Sequence, residues 1–261
     1  MTSKQLPRVH VIGMGQVGRR LADALARAGA PHTPVNRDEG WADALAADGD
    51  LRLVCVREGD LGAVLGRLAA VPSEHIILVQ NGWLRPLLED RPGTTRGLIW
   101  FTSKGDFFRI LRPSPFSGPW AGTLAAVLTA GGIPSTAVAG DCFAGLEAEK
   151  MGFNCIVGLP LAVHDVTLGE YLDRYRSEAH QLFTESVTAC AIALDVHAQP
   201  GWWDAFLTSV EPLRWVGTST AKALSFRNQA VADLAAAHGL EVPATRRLLT
   251  AWRDRIGDPQ R

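Results

Sequence analysis

Val9-His10-Val11-Ile12-Gly13-Met14-Gly15-Gln16-Val17-Gly18 is an apolar run entering G-x-G-x-x-G, after which Val17, Leu21, Ala24 and Leu25 recur at helical spacing. Strand, glycine loop and helix in this order predict a site for the pyrophosphate of a dinucleotide. Gly13 is expected to make the tight turn and Gly15 to admit the anion to the backbone. Gly18 is expected to let the helix pack closely on the strand, with Met14, Gln16 and Val17 completing the loop. The unpaired N–H groups of the helix's first turn then face the anion. With 26 glycines in 261 residues the spacing alone would arise by chance; the flanking strand and helix give it meaning.

Working outward, a second strand over residues 32–35 ends in Asn36-Arg37-Asp38, where a dinucleotide fold meets the adenosine ribose. An arginine there suits the 2′-phosphate of NADP through a charge-assisted fork, so Asn36 and Arg37 favour NADP (NADPH). Asp38 is the alternative, as an acceptor for the 2′-hydroxyl of NAD, and a solvated polar turn is the plainer reading. Further strands are expected at 51–56, 76–79, 98–101, 107–111 and 136–138, alternating with helical patterns up to residue 139. The cluster Pro113, Pro115, Gly118, Pro119 and Gly122 reads as a loop returning the chain to the sheet. From residue 140 the pattern turns helical, at 142–157, 172–194, 220–238 and 244–256. This gives an α/β dinucleotide-binding domain over 1–139 and an α-helical substrate and dimerisation domain over 140–261.

Ligands in open α/β folds sit beyond the carboxyl ends of the strands. Arg57 follows Val54-Cys55-Val56 there, and Gln80-Asn81-Gly82-Trp83 follows Ile76-Ile77-Leu78-Val79. Arg37 and Arg57 at neighbouring tips would build positive potential for phosphates. An ion pair of Arg57 with Glu58 or Asp60 is the competing reading, and Asn81-Gly82 alone reads as a turn.

Composition narrows the class. The chain is 47% hydrophobic and 20% charged with a net charge of −1, and its basic residues are interleaved with acidic ones, which argues against nucleic acid as a partner. Cys55, Cys142, Cys155 and Cys190 lie far apart, the histidines are scattered, and neither disulfides nor a metal site is expected. No signal peptide or membrane span is expected, and the predicted location is cytoplasmic.

The glycine loop, Val54-Cys55-Val56-Arg57, the Val79-Gln80-Asn81-Gly82 tip and Lys150-Met151-Gly152-Phe153-Asn154-Cys155 together resemble the ketopantoate reductase family. Asn228, then Ala237-His238-Gly239 and Val242-Pro243-Ala244-Thr245, extend the resemblance over most of the chain. It implies a Rossmann-type domain followed by a helical domain of the 6-phosphogluconate dehydrogenase C-terminal type, a possible homodimer, and NADPH-dependent reduction of a 2-oxo acid. The family's namesake reaction belongs to pantothenate synthesis. Hydride addition to a ketone leaves negative charge on its oxygen, which needs a proton donor. Lys150 is the candidate, brought toward the working range by desolvation. Asn154 lies one helical turn on and shares its face, where it would position substrate or lysine. Asn81 would orient the nicotinamide or Lys150, as the resemblance implies. For Lys150 the plain alternatives are a pair with Glu147 or an end in solvent. Cys155 reads as a packed thiol.

The chain departs from the family's pattern at two positions. Gly158 stands where the family carries a second asparagine, and Ala223 where it carries a glutamate. Losing both polar contacts should cost several kcal/mol of transition-state binding for the same substrate, which points away from ketopantoate itself. Ser219 and Thr220 are candidates for substitute hydroxyls or, more plainly, for capping the next helix. Trp83, Trp100, Trp202, Trp203 and Trp215 read as core and interface packing, with Trp83 as a conceivable apolar wall beside the nicotinamide and Trp202-Trp203 as a loop docking a partner subunit. The other functional class is a catalytically lapsed protein of the same fold that binds or senses NADP.

Overall fold

The computed structural model describes residues 6–46, 48–218, 221 and 223–256. Ser219 and Thr220 lie outside them. By the density of internal contacts the chain divides into two compact units. The first runs to Gln80 and resumes over Leu84–Phe143; the second takes Asn81–Trp83 together with the chain from Ala144 onward.

The first unit holds β1 (Val9–Ile12), α1 (Gln16–Arg27), β2 (His32–Val35), α2 (Trp41–Ala46), β3 (Leu51–Val54), α3 (Leu61–Arg67) and β4 (Ile76–Leu78). β5 (Thr95–Gly97), β6 (Phe101–Lys104), β7 (Phe107–Ile110), β8 (Ser114–Ser117), α4 (Ala121–Ala130) and β9 (Ser135–Ala137) follow. Seven strands form one sheet in the order β2-β1-β3-β4-β5-β8-β9, with every neighbouring pair parallel except β5 and β8. The strands β1, β3 and β4 are buried along their whole length and apolar except for His10 and Arg52, as suits a parallel sheet covered on both faces. α1 buries Leu21, Ala24 and Leu25 against this sheet and α4, and Arg27 hydrogen-bonds the Gly131 carbonyl at 2.7 Å. The strand reversal around β1 puts the crevice of such a sheet at the Gly13 turn.

Two expectations fail here. Residues 113–119 contain β8, not merely a returning loop, and the strand expected at 98–101 sits earlier, at β5. One cause serves both. Arg96 and Gly97 pair with Ser117 and Phe116, which brings Leu98 opposite Pro115. Leu98 N–H donates to the Pro115 carbonyl at 3.0 Å, but proline has no N–H to return, so the regular ladder stops there. The apolar run Leu98-Ile99-Trp100-Phe101 is still buried, and only Phe101 enters a strand, in the separate hairpin β6–β7. Residues 107–111 belong to that hairpin, which Arg20 holds through Ser103 (3.2 Å) and the Phe108 ring (4.9 Å).

The second unit is helical, with most of α5 (Gly140–Ile156), then α6 (Leu159–His164), α7 (Leu168–Arg174), α8 (Arg176–Ala193), α9 (Trp202–Val210), α10 (Asn228–Ala237) and α11 (Pro243–Ile256). A Cβ at Gly152 would lie 2.7 Å from the Phe183 ring and 2.9 Å from Val187, so glycine in mid-helix lets α8 approach α5. The buried Glu185 carboxylate accepts from Ala244 N–H (2.9 Å), Thr245 N–H (2.8 Å) and the Thr245 hydroxyl (2.8 Å), capping α11 from α8. The helix expected over 172–194 is two, broken at Tyr175, and that expected over 220–238 begins at Asn228 after a short 3-10 turn, Leu224–Phe226. Among the described residues no helix is long and apolar enough to cross a membrane.

Candidate functional site

The three loop glycines occupy three different physical situations. Gly13 has φ +94°, and a Cβ there would lie 2.8 Å from Val56 Cγ1 and 3.0 Å from Val56 N. Its N–H donates to the Val35 carbonyl (3.0 Å), while Cys55 N–H donates to Ile12 (2.7 Å), so the turn is pinned from both flanking strands. A Cβ at Gly18 would collide with the Gly13 carbonyl oxygen. A Cβ at Gly15 would meet nothing within 4 Å; the backbone there borders open space. Gly15 caps α1 without a side-chain hydrogen bond, and no acidic residue occupies the first turn, which leaves its N–H groups for an anion. Met14 and Val17 turn their side chains to the core, and the Gln16 amide oxygen accepts from Ser103 (3.1 Å), so these residues offer a ligand mainly backbone.

Beside this loop lies a cavity of about 490 Å³ lined by Gly13, Met14, Gly15, Asn36, Arg37 and Arg57, all foreseen from the sequence. Asn36 and Arg37 follow directly on β2, whose last residue is Val35, and Asn36 N–H closes a turn onto Glu39 at 3.1 Å. Asp38 does not line the cavity. Neither Arg37 nor Arg57 makes a side-chain hydrogen bond or ion pair among the described residues, so the pairing of Arg57 with Glu58 or Asp60 does not form. Sequence reasoning missed further lining side chains, among them Trp41, Asp60 and Arg67. The Gln80 side chain fixes the end of β3 by donating to Val54 (2.8 Å) and Val56 (3.2 Å).

In the second unit α5 buries Lys150 and Asn154, each 4% exposed, one turn apart. Lys150 Nζ lies 4.2 Å from the centre of the Phe153 ring, so the lysine does not end in solvent. Asn154 Nδ2 is buried without a hydrogen-bond partner, and so is Asn81 Oδ1. Gly82, at φ +93°, packs against the Phe226 backbone, to which Trp83 N–H donates at 2.7 Å. Asn81 thus rides on a turn anchored to the helical unit that holds Lys150. Glu147 and Glu149 are buried on the same helix. Burial pushes the Cys155 thiol up to about 12, which suits packing and not nucleophilic attack. Asn228, buried, donates to the Cys155 carbonyl at 3.2 Å.

The tryptophans pack except Trp215, which is 54% exposed. Trp83 lies against the core of the second unit with Met151 and Cys155. Trp202 and Trp203 open α9 instead of forming a docking loop: Trp202 joins that core, and Trp203 stacks on Phe206 at 5.2 Å. Gly158 falls in the break between α5 and α6, where a Cβ would meet only the Asn154 carbonyl at 3.7 Å, and Ala223 has the left-handed φ of +53°. Among the described residues no group of three or more His, Cys, Asp or Glu could hold a metal.

No family model matches the sequence, and no curated protein matches it. Solved structures do. A dimeric ketopantoate reductase from Staphylococcus aureus superimposes with a TM-score of 0.77 at 18% identity, over 95% of this chain and 98% of that one. The PanE/ApbA-family ketopantoate reductase from Ralstonia eutropha JMP134 gives 0.74 at 18%, over 92% and 95%. The chain has the fold of the ketopantoate reductases. The same fold holds D-mandelate dehydrogenase, solved with NADH, which matches with a TM-score of 0.74 at 13% identity over 95% and 98%. The resemblance carried by the sequence motifs is therefore met at the level of the fold, a Rossmann-type unit followed by a helical one.

Proposed function

We propose that this protein is an NADPH-dependent reductase of a 2-oxo acid or related carbonyl compound other than ketopantoate. The observation that carries the reductase reading is the buried Lys150 with two orphaned amide atoms, Asn154 Nδ2 and Asn81 Oδ1, in the same unit. A buried polar atom without a partner costs about 1–3 kcal/mol, and two in the unit that buries the lysine are explained by a polar ligand that satisfies them.

The cofactor fits the first unit. Gly15 borders open space, the first turn of α1 has unpaired N–H groups for a pyrophosphate, and Arg37 and Arg57 are unpaired cations where a 2′-phosphate belongs. When bound, the nicotinamide supplies the hydride. Lys150 delivers a proton from Nζ to the carbonyl oxygen as charge builds there, and solvent reprotonates the amine. The Asn154 amide N–H groups hold the substrate's oxygens, while Asn81 Oδ1 accepts from the cofactor's amide or from Lys150. Gly158 and Ala223 offer no side-chain hydrogen bonds, which supports a substrate lacking the hydroxyl of ketopantoate.

The test is NADPH consumption against a panel of 2-oxo acids, with Lys150→Ala beside the wild type. Turnover of at least one acid is expected, with kcat about 10²- to 10⁴-fold lower in the variant and NADPH affinity retained. Tight NADPH binding without turnover by the wild type would replace the reductase with a protein that binds or senses NADP. Full activity in the variant would remove Lys150 from the chemistry.

A further inference from the structure

Arg67 and Trp41 were not foreseen in the cofactor cavity, and together they form its most organised feature. The Arg67 guanidinium carbon lies 3.7 Å from the centre of the Trp41 ring, a stacked arrangement. Trp41 is 8% exposed and opens α2, whereas Arg67 is the last residue of α3 and is exposed. The indole N–H donates to the Arg37 carbonyl at 3.2 Å. One buried ring therefore holds the backbone of one cavity arginine and the side-chain plane of another. Arg57 lines the same cavity, and Asp60 is the only carboxylate among its lining residues.

The chemistry of a guanidinium makes this more than packing. Stacking occupies the face of the group and leaves its N–H donors pointing outward in the plane, free for a two-point contact with an anion. Freezing an arginine in advance also removes much of the rotamer entropy that a phosphate contact would otherwise cost.

We infer that Arg67, held flat by Trp41, is a third specificity-determining cation for the adenosine 2′-phosphate, acting with Arg37 and Arg57. Trp41 is the positioning residue that sets both Arg37 and Arg67. This rests on the NADPH reading above and extends it to residues outside the two strand tips.

Binding of NADPH, NADH, adenosine 2′,5′-bisphosphate and AMP would be measured calorimetrically for the wild type, Arg67→Ala, Trp41→Leu and Trp41→Phe. The wild type should prefer NADPH to NADH and the bisphosphate to AMP. Arg67→Ala should weaken NADPH and the bisphosphate about tenfold or more while shifting NADH and AMP by less than about twofold. Trp41→Leu should lower the NADPH to NADH ratio likewise although Arg67 is still present, and Trp41→Phe, which keeps an aromatic face, should restore most of it. A wild type that binds NADH as tightly as NADPH would overturn the underlying NADPH reading. With that preference intact, an unchanged ratio in Arg67→Ala, or equal losses for both cofactors, would overturn the role of Arg67 alone. An unchanged ratio in Trp41→Leu would overturn the positioning role of Trp41. Because Arg67 is exposed, its variant tests the inference even if Trp41→Leu fails to fold.

Discussion

At the scale of single residues, Gly15 and Gly18 make opposite predictions although both belong to one motif. A side chain at Gly15 enters open space in an ordinary backbone conformation, so Gly15→Val should change stability by no more than about 0.5 kcal/mol yet exclude a pyrophosphate and abolish dinucleotide binding. At Gly18 even a methyl group strikes the Gly13 carbonyl, and Gly18→Ala should destabilise the protein by about 1–3 kcal/mol as α1 is forced off β1. Thermal unfolding with a titration of NADPH separates the two; equal stability loss in both would mean that Gly15 is a packing glycine. These roles were legible in the sequence because backbone chemistry fixes them within a few residues. Arg67 and Trp41 were not, since 26 positions separate them and only the folding of α2 and α3 beside the same strand tips brings ring and guanidinium together. Lys150 and Asn154 were readable from their helical spacing, but their burial depends on packing by the second unit, beyond any local pattern.

At the scale of elements, legibility depended on whether a local signal competed with a long-range one. β1, β3 and β4 are largely apolar buried runs and read directly, while β8 was hidden because Pro113 and Pro115 signal a loop and its pairing with β5 and β9 cannot be seen locally. The start of α7 was legible and overlooked: Thr167-Leu168-Gly169-Glu170 is a capping box, in which Glu170 N–H donates to the Thr167 hydroxyl (3.3 Å) and Thr167 N–H to the Glu170 carboxylate (2.9 Å). The break at Tyr175 has no such signature; the Tyr175 ring stacks on His164 at 4.1 Å, a contact with α6. Next to that stack, Glu178 of α8 gathers α6, α7 and α11. Its carboxylate accepts from His164 (2.8 Å), the Tyr171 hydroxyl (3.1 Å) and Arg247 (2.9 Å). Burial alone would raise this carboxyl; the hydrogen bonds from Arg247, His164 and Tyr171 outweigh it and hold the pKa below the ordinary glutamate value. A carboxylate with a lowered folded pKa contributes stability above its unfolded pKa of about 4.3, and that contribution disappears as pH falls through the folded value. Glu178→Gln should therefore cost about 2 kcal/mol at neutral pH and progressively less in acid. Denaturant unfolding of both proteins at neutral and acid pH reads the difference, and a gap independent of pH would show that ionisation of Glu178 contributes nothing.

At the scale of the whole molecule, charge is nearly balanced, with 26 basic and 27 acidic side chains, so the protein as a whole exerts little pull on an anionic cofactor. On the NADPH reading proposed above, what discriminates is local. Arg37, Arg57 and Arg67 share one cavity with Asp60 as the sole lining carboxylate, and the N-terminus of α1 adds partial positive charge beside them. NADPH and NADH differ only in the 2′-phosphate, so the bulk of the molecule cancels from the ratio of their affinities and the arginines remain. All three are exposed at the rim, within reach of mobile ions. Raising the ionic strength from about 0.01 M to about 1 M shortens the Debye length from about 30 Å to about 3 Å. The affinity ratio should fall several-fold over that range in the wild type and lose much of its salt dependence in Arg67→Ala, measured by fluorescence titration of both cofactors. A ratio that stays constant with salt would mean that the preference comes from short, desolvated hydrogen bonds instead of the field of the arginine cluster, because contacts shielded from mobile ions do not weaken when those ions are added.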